Sequence, residues 1–380
     1  MKRIKIITLM FLFSILLFAF QGVLGFGEEE PLKGLDEPKI PFAPKKYICY
    51  RTDSVLEING KLDEKSWKEA QWTDYFQDIE GSSKPAPRYK THIKMLWDDN
   101  YLYIGAELEE PHVWATLTEE DSIIFRDNDF EIFIDKDGNT HNYFEMEFNA
   151  FGTIWDLFLD KPYRDNGNPL YYWNMVGIKK AVFVDGTINN SLDKDKGWTL
   201  ELALPWAVLQ SRNPDWKPPV NGEQWRMNFS RVEWKTHFSN NAYIKDTDPK
   251  TGTILPENNW VWSPQGLIQM HYPEMWGFVQ FSAINAGQGT GTFTENEEEQ
   301  IKWFLRRVYY RERNFYEKNN HYTENQEELG IKELKETEWV SSLVIKCTWN
   351  DFEARCTDKA GKAYWFIRSD GKTYKQTKDR

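Results

Sequence analysis

The chain has 380 residues, 59 acidic against 47 basic, for a formal net charge of −12. That balance argues against a nucleic-acid partner, which would need Lys and Arg gathered on one face. Three Cys exclude a disulfide-dense scaffold, and 18 Trp, 18 Tyr and 24 Phe exceed what a mainly aliphatic core of this size needs.

Residues 1–25 place Lys2, Arg3 and Lys5 ahead of an apolar run that ends in small residues, the layout of a secretory signal peptide. The expected location is therefore secreted or periplasmic after its removal, which would take the formal charge to −15; a retained single-span anchor is the alternative. Residues 26–44 are polar and proline-rich without periodicity, and read as a linker.

From 45 to 282, short alternating apolar runs separated by turn signals predict an all-β, antiparallel sandwich. In "HIKMLWDDNYLYIGAELEE", Ile93, Met95 and Trp97 alternate, Asp98-Asp99-Asn100 turns the chain, and Leu102, Ile104, Ala106 and Leu108 alternate again, so a hairpin is expected. "GWTLELALPW" puts Trp198, Leu200, Leu202 and Leu204 on one face, with Pro205 suited to open a short helix.

The segment "RDNDFEIFID" carries Asp127, Asp129, Glu131 and Asp135 around Phe130, Ile132 and Ile134. With the apolar set inward, the carboxylates must face the other way, and "NYFEMEFNAFG" repeats the pattern with Phe144, Met146 and Phe148 inward against Glu145, Glu147 and Asn149 outward. Both apolar rows reach one core only through an odd-length connection or a bulge, which sets Glu131 opposite Glu145 or Glu147. Like charges facing each other are unfavourable. Water and neighbouring Lys or Arg can screen them, a cation can bind them, or a polar ligand's hydroxyls can donate to them. The all-oxygen donor set suggests Ca²⁺, with Asp127 and Asp129 as loop oxygens and Asp135 as a third candidate metal ligand.

Residues 283–299 form a second linker, and 300–380 are expected to make a small C-terminal α+β extension: an amphipathic helix, then a β-meander. The helix would dock on the sandwich or on a protein partner. Cys347 and Cys356 sit where two adjacent strands could be bridged by a disulfide.

Six elements in order, "INGKLDEKSW", "LWDDNYLYIGAEL", "DNDFEIFID", "EFNAFG", "GWTLELALPW" and "HYPEMWGFVQF", resemble carbohydrate-binding module family 9. The resemblance runs from about Ile58 to Phe281 and implies a β-sandwich that clamps sugars between Trp rings and carries structural Ca²⁺. It implies sugar contacts at Glu131 and Asn149, and it places Phe125 at the first clamp ring. Glu147 stands where the family has Arg, and the second clamp position falls near Met270 or His271. Trp155, Trp173, Trp260 and Trp262 are candidate replacements.

The expected function is thus noncatalytic binding of oligo- or polysaccharide of the xylan or cellulose type. A glycoside hydrolase would need paired carboxylates, one with a raised pKa, and Glu131 with Glu145 or Glu147 meets the residue requirement. An open sheet face, however, offers them little burial. Axial haem ligation by Met146, His141, Met270 or His271 is a remoter alternative.

Overall fold

Strands form where the apolar residues alternate. A computed structural model describes residues 33–210 and 217–378, so the signal-peptide reading and the start of the first linker lie outside the described residues. In chain order the strands are β1 Lys46–Arg51, β2 Gln77–Asp78, β3 Thr91–Trp97, β4 Tyr101–Glu109, β5 Asp129–Asp135, β6 Tyr143–Asn149 and β7 Ile154–Leu159. There follow β8 Pro169–Leu170, β9 Lys179–Asp185, β10 Gly197–Pro205, β11 Gln224–Glu233, β12 Thr236–Ser239, β13 Ala242–Lys245, β14 Asn258–Val261 and β15 Gly277–Asn285. The C-terminal meander is β16 Val340–Cys347, β17 Phe352–Asp358, β18 Ala363–Arg368 and β19 Thr373–Thr377. The α-helices are α1 Lys65–Glu69, α2 Trp206–Leu209 and α3 Glu298–Asn319.

The expected hairpin is β3–β4, and Asp98 holds its turn by accepting from the backbone N–H groups of Asn100 and Tyr101 at 2.7 and 2.8 Å. The hydrogen-bonded path runs β8-β7-β6-β5-β11-β15-β1-β3-β4-β10-β9. It folds over on itself at β15 and β1, where β1 pairs in parallel with β15 through Cys49 and then with β3 from Tyr50. Two layers result, as an all-β sandwich requires. Ile132, Met146 and Met227 of the front layer meet Met95, Ile104 and Leu202 of the back layer in one buried core. Each fully buried side chain of this size contributes roughly 1.5–3 kcal/mol of transfer free energy.

α3 buries Trp303, Phe304, Leu305, Val308, Tyr309 and Tyr310 against the meander residues Ile345, Phe352, Ala354 and Trp365, and against Leu267, Tyr272 and Met275 of the sandwich. Docking is therefore within the chain. Leu35, Ile40 and Phe42 pack on the same cluster, so the described end of the first linker is a packed strap, unlike the unstructured segment its composition suggests. Cys347 and Cys356 are both unbridged. They occupy adjacent strands but are out of register, Cys347 facing Phe352 and Cys356 facing Leu343, so a disulfide between them cannot form.

Candidate functional site

The β5–β6 register matches Phe130 with Phe148, Glu131 with Glu147 and Ile132 with Met146. The connection, residues 136–142, is odd in length, as two inward apolar rows demand. On its other edge β5 pairs with β11, which sets Ser230 beside Glu131 and Val232 beside Asp129.

The outward face is not open, contrary to expectation. Asp129, Glu131, Glu145 and Glu147 are only 0, 6, 5 and 2% exposed. Cover comes from residues distant in sequence: Tyr163 after β7, and Ile268, Gln269, Met270 and His271 before β15. Phe133, Tyr143, Leu157 and Trp276 make a small apolar cluster beneath them, which explains why this half of the face excludes water.

Burial dominates the electrostatics. It pushes Glu131 up to about 7, moderated by the Ser230 hydroxyl. Asp129, Glu145 and Glu147 are held well above the usual carboxylate range by burial and by their like-charged neighbours. One oxygen from each of Asp129, Glu131 and Glu147 lies within 4.8 Å of the others. His271 is pushed the opposite way, down to about 3, by burial and the nearby Arg164 guanidinium. It therefore sits as neutral imidazole, with Nδ1 2.8 Å from the Tyr143 hydroxyl and Nε2 4.0 Å from Glu145.

Over these carboxyls lies a cavity of about 300 Å³, whose lining includes Phe125, Glu145, Glu147, Trp155, Tyr163 and His271. That volume is at the lower end of the roughly 300–1,000 Å³ usual for small-molecule sites. Phe125 and Tyr163 are 37% and 39% exposed, so two ring edges reach solvent at its mouth. The Phe125 ring lies 6.4 Å from Trp155 at 33°, and Trp155 is nearly parallel to Tyr171, also at 6.4 Å. The Phe125 N–H donates to Glu147 at 2.9 Å, tying the ring's backbone to the acidic floor. Sequence reasoning missed Tyr163, Tyr171, Asn259 and Gln269. An aromatic-rich stretch after β7, "PYRDNGNPLYYW", was the available signal.

Other expected residues serve the fold. Asn149 is fully buried, donates to Leu117 and Asp127 and accepts from the Phe151 and Thr153 N–H groups, so it braces a turn and does not line the cavity. Trp260 and Trp262 belong to the sandwich core, because both belong to the inward row of their segment. Trp173 packs on the same core, 4.9 Å from Phe144. Met146 is also a core residue, and His141 faces Asp370 of the C-terminal meander, which separates the two from His271.

The expected metal set does not assemble either. Asp127 accepts from the Thr116 and Leu117 N–H groups, the Thr116 hydroxyl and Asn149, which uses both of its oxygens. Asp135 accepts from the Gly138 and Thr140 N–H groups, the first at a glycine with φ +61°. Of the three only Asp129 keeps a carboxylate oxygen without a hydrogen bond. Asp127, Asp129 and Asp135 therefore do not fit one Ca²⁺.

Residues 58–251 match the family model described as carbohydrate family 9 binding domain-like. The chain is 28% identical over 172 residues to endo-1,4-beta-xylanase C of Paenibacillus barcinonensis, a match that covers 44% of this chain and 13% of that protein. The matched segment thus spans about an eighth of the xylanase's length. A family 9 carbohydrate binding module from Caldicellulosiruptor kristjanssonii in complex with cellotriose is similar at 13% identity and a TM-score of 0.42, covering 65% of this chain and 99% of that one. The glucose complex from the same organism gives 14% identity and a TM-score of 0.40, covering 62% and 96%.

Proposed function

The chain belongs to the carbohydrate family 9 binding domain-like family, and from that premise we propose that it is an exported, noncatalytic binder that holds a sugar in the cavity between Phe125, Trp155 and Tyr163. One observation carries the reading: half-exposed rings stand at the mouth of a cavity floored by carboxyls. Sugars present C–H faces to rings and hydroxyls to oxygens, so this combination suits them. Burial and like-charged neighbours raise the Glu145 and Glu147 carboxyls above the usual range, and their oxygens can accept from sugar hydroxyls.

We assign the ligand to plant-polysaccharide fragments of the xylan or cellulose type, taken up in carbohydrate catabolism. The likeness to part of a xylanase supports the first, and the N-terminal segment supports export. Titration calorimetry against xylo- and cello-oligosaccharides with intact and reduced ends tests the reading. Saturable heat with at least one series is expected, and no heat from any sugar would sink it.

One observation favours a glycoside hydrolase as a second reading: Glu131 at about 7 has the raised pKa that a general acid needs. Geometry opposes it. Hydrolase carboxyls flank the scissile bond about 5–9 Å apart, whereas Glu131 and Glu147 are directly paired with one oxygen of each within 4.8 Å, and Glu131 does not line the cavity. Release of xylose from xylo-oligosaccharides, abolished in Glu131→Gln, would reverse this choice.

A further inference from the structure

The outer face of the back layer, turned away from the acidic cavity, carries a groove of its own. Strand pairing sets His92, Glu107, Thr199 and Phe183 in one row across β3, β4, β10 and β9. With neighbouring strands about 4.8 Å apart, that row spans about 14 Å. The groove along it has a volume of about 480 Å³, against about 300 Å³ for the acidic cavity. The turn that seats Gly60 on Glu201, the next outward residue of β10, brings Lys61 to one side of it.

Two rings that line the groove, Tyr75 and Phe183, are 49% and 39% exposed. Tyr75 is fixed in place, because His92 stacks on it at 4.8 Å and 23° and on Trp72 at 3.9 Å and 4°. A lysine stands by each exposed ring, Lys90 Nζ 5.2 Å from the centre of Tyr75 and Lys61 Nζ 5.6 Å from that of Phe183. Among the described residues neither ammonium is in an ion pair, so both are available as donors. On the floor, the hydrogen bond from His92 holds Glu107 below the usual carboxylate range, which keeps it an acceptor.

We propose that this groove is a second carbohydrate site, which takes a stretch of an uncharged oligo- or polysaccharide lying along the row. Tyr75 and Phe183 offer surfaces to sugar C–H faces, Lys61 and Lys90 donate to hydroxyl oxygens, and Glu107 and Glu109 accept from hydroxyls. Charge selects the ligand class. Lys61, Lys90 and Lys196 balance Glu107, Glu109 and Asp185, so the groove attracts neither a polyanion such as nucleic acid nor a metal cation. Its floor of His92, Glu107 and Thr199 is polar, which argues against an apolar peptide. The groove shares no residue with the acidic cavity, so either site can fail without the other.

The test titrates the exported chain with xylohexaose and with cellohexaose in calorimetry. Two binding events per chain are expected with at least one of them. Trp155→Ala should keep the groove event. Phe183→Ala and Tyr75→Ala, which remove half-exposed rings and should fold, should each weaken it by about tenfold or more and leave the cavity event in place. Binding that both groove variants leave unchanged overturns the groove, whatever Trp155→Ala does, and so does an absence of heat from either hexaose. Heat lost in the groove variants and unchanged in Trp155→Ala keeps the groove and overturns the cavity. A groove affinity that falls steeply as NaCl is raised overturns the uncharged ligand.

Discussion

Arg313 of α3 and Asp165, from the turn after β7, meet at 2.5 Å with neither side chain exposed. The Tyr309 hydroxyl also donates to Asp165, and Arg313 donates to the carbonyls of Lys33 and Arg164 at 3.0 and 2.9 Å. The pair thus joins the C-terminal unit, the strap before β1 and the sandwich. Its neighbours Arg164 and Glu274 pair at 2.9 Å, and the charges around Glu274 hold its carboxyl down at about 2 despite burial.

Arg313→Met should destabilise the chain by about 3–5 kcal/mol, because a buried Asp165 loses its main counter-charge. Chemical denaturation measures this. Arg313→Met combined with Asp165→Leu should recover much of the loss, since replacing a whole buried pair by apolar groups is often neutral. A double variant as unstable as the single one would show that the pair fixes the interface by shape and not by charge.

Glu312, one residue earlier on α3, is fully buried, and its Oε1 has no hydrogen-bond partner. Burial pushes it up to about 8, opposed weakly by the Thr323 N–H, which donates at 3.3 Å. Unfolded, the same carboxyl titrates near 4.3. Its folded pKa is therefore the raised one, so its stabilising contribution is full below about pH 4 and is lost as pH rises through 8. Glu312→Gln should leave stability nearly unchanged at pH 4 and gain on the wild type by several kcal/mol by pH 8.5. Comparing the two proteins cancels every other titrating group; parallel stability curves would refute the assignment.

Trp155 is the ring with neighbours on both sides, Phe125 at 33° and Tyr171 at 5°, and it is half-buried on β7. Trp155→Ala should weaken binding of the best oligosaccharide by about tenfold or more, the loss of one stacking surface, with little change in the unfolding midpoint. Trp173→Ala should do the reverse, because that ring packs on the sandwich core. Unchanged sugar affinity in Trp155→Ala would move the site away from this cavity.

Strand register was legible because a period of two and two apolar rows admit few pairings. Phe130 with Phe148 forces Glu131 onto Glu147. The lid over those carboxyls was not legible, since Tyr163 and residues 268–271 reach the face from far along the chain. Alternation tells which side a residue faces and says nothing of what covers that side. The same limit misplaced Trp260 and Trp262, whose position on a core-facing row appears only once β14 is seen to pair with β11. Asp127 and Asp135 read as metal oxygens because their turns, which consume both carboxylates, have no sequence pattern of their own.

Glu201 shows the limit most clearly. In "WTLELALP" it sits between Leu200 and Leu202 on what should be the solvent side of β10, yet it is 0% exposed. The turn before α1 folds over it: the N–H groups of Asn59 and Gly60 donate to one oxygen at 2.9 and 2.8 Å, and Trp67 Nε1 donates to the other at 2.8 Å. Gly60 has φ +85°, and a Cβ there would lie 2.7 Å from the Phe183 nitrogen, so the turn needs glycine to approach β9 this closely. Glu201→Ala strands three donors and should cost about 2–4 kcal/mol. Glu201→Gln keeps an acceptor oxygen for the Asn59–Gly60 turn but presents N–H to the Trp67 indole, and should cost less. Urea unfolding of both variants checks the order. Equal losses would mean that the packed volume, and not the acceptor, holds the turn down.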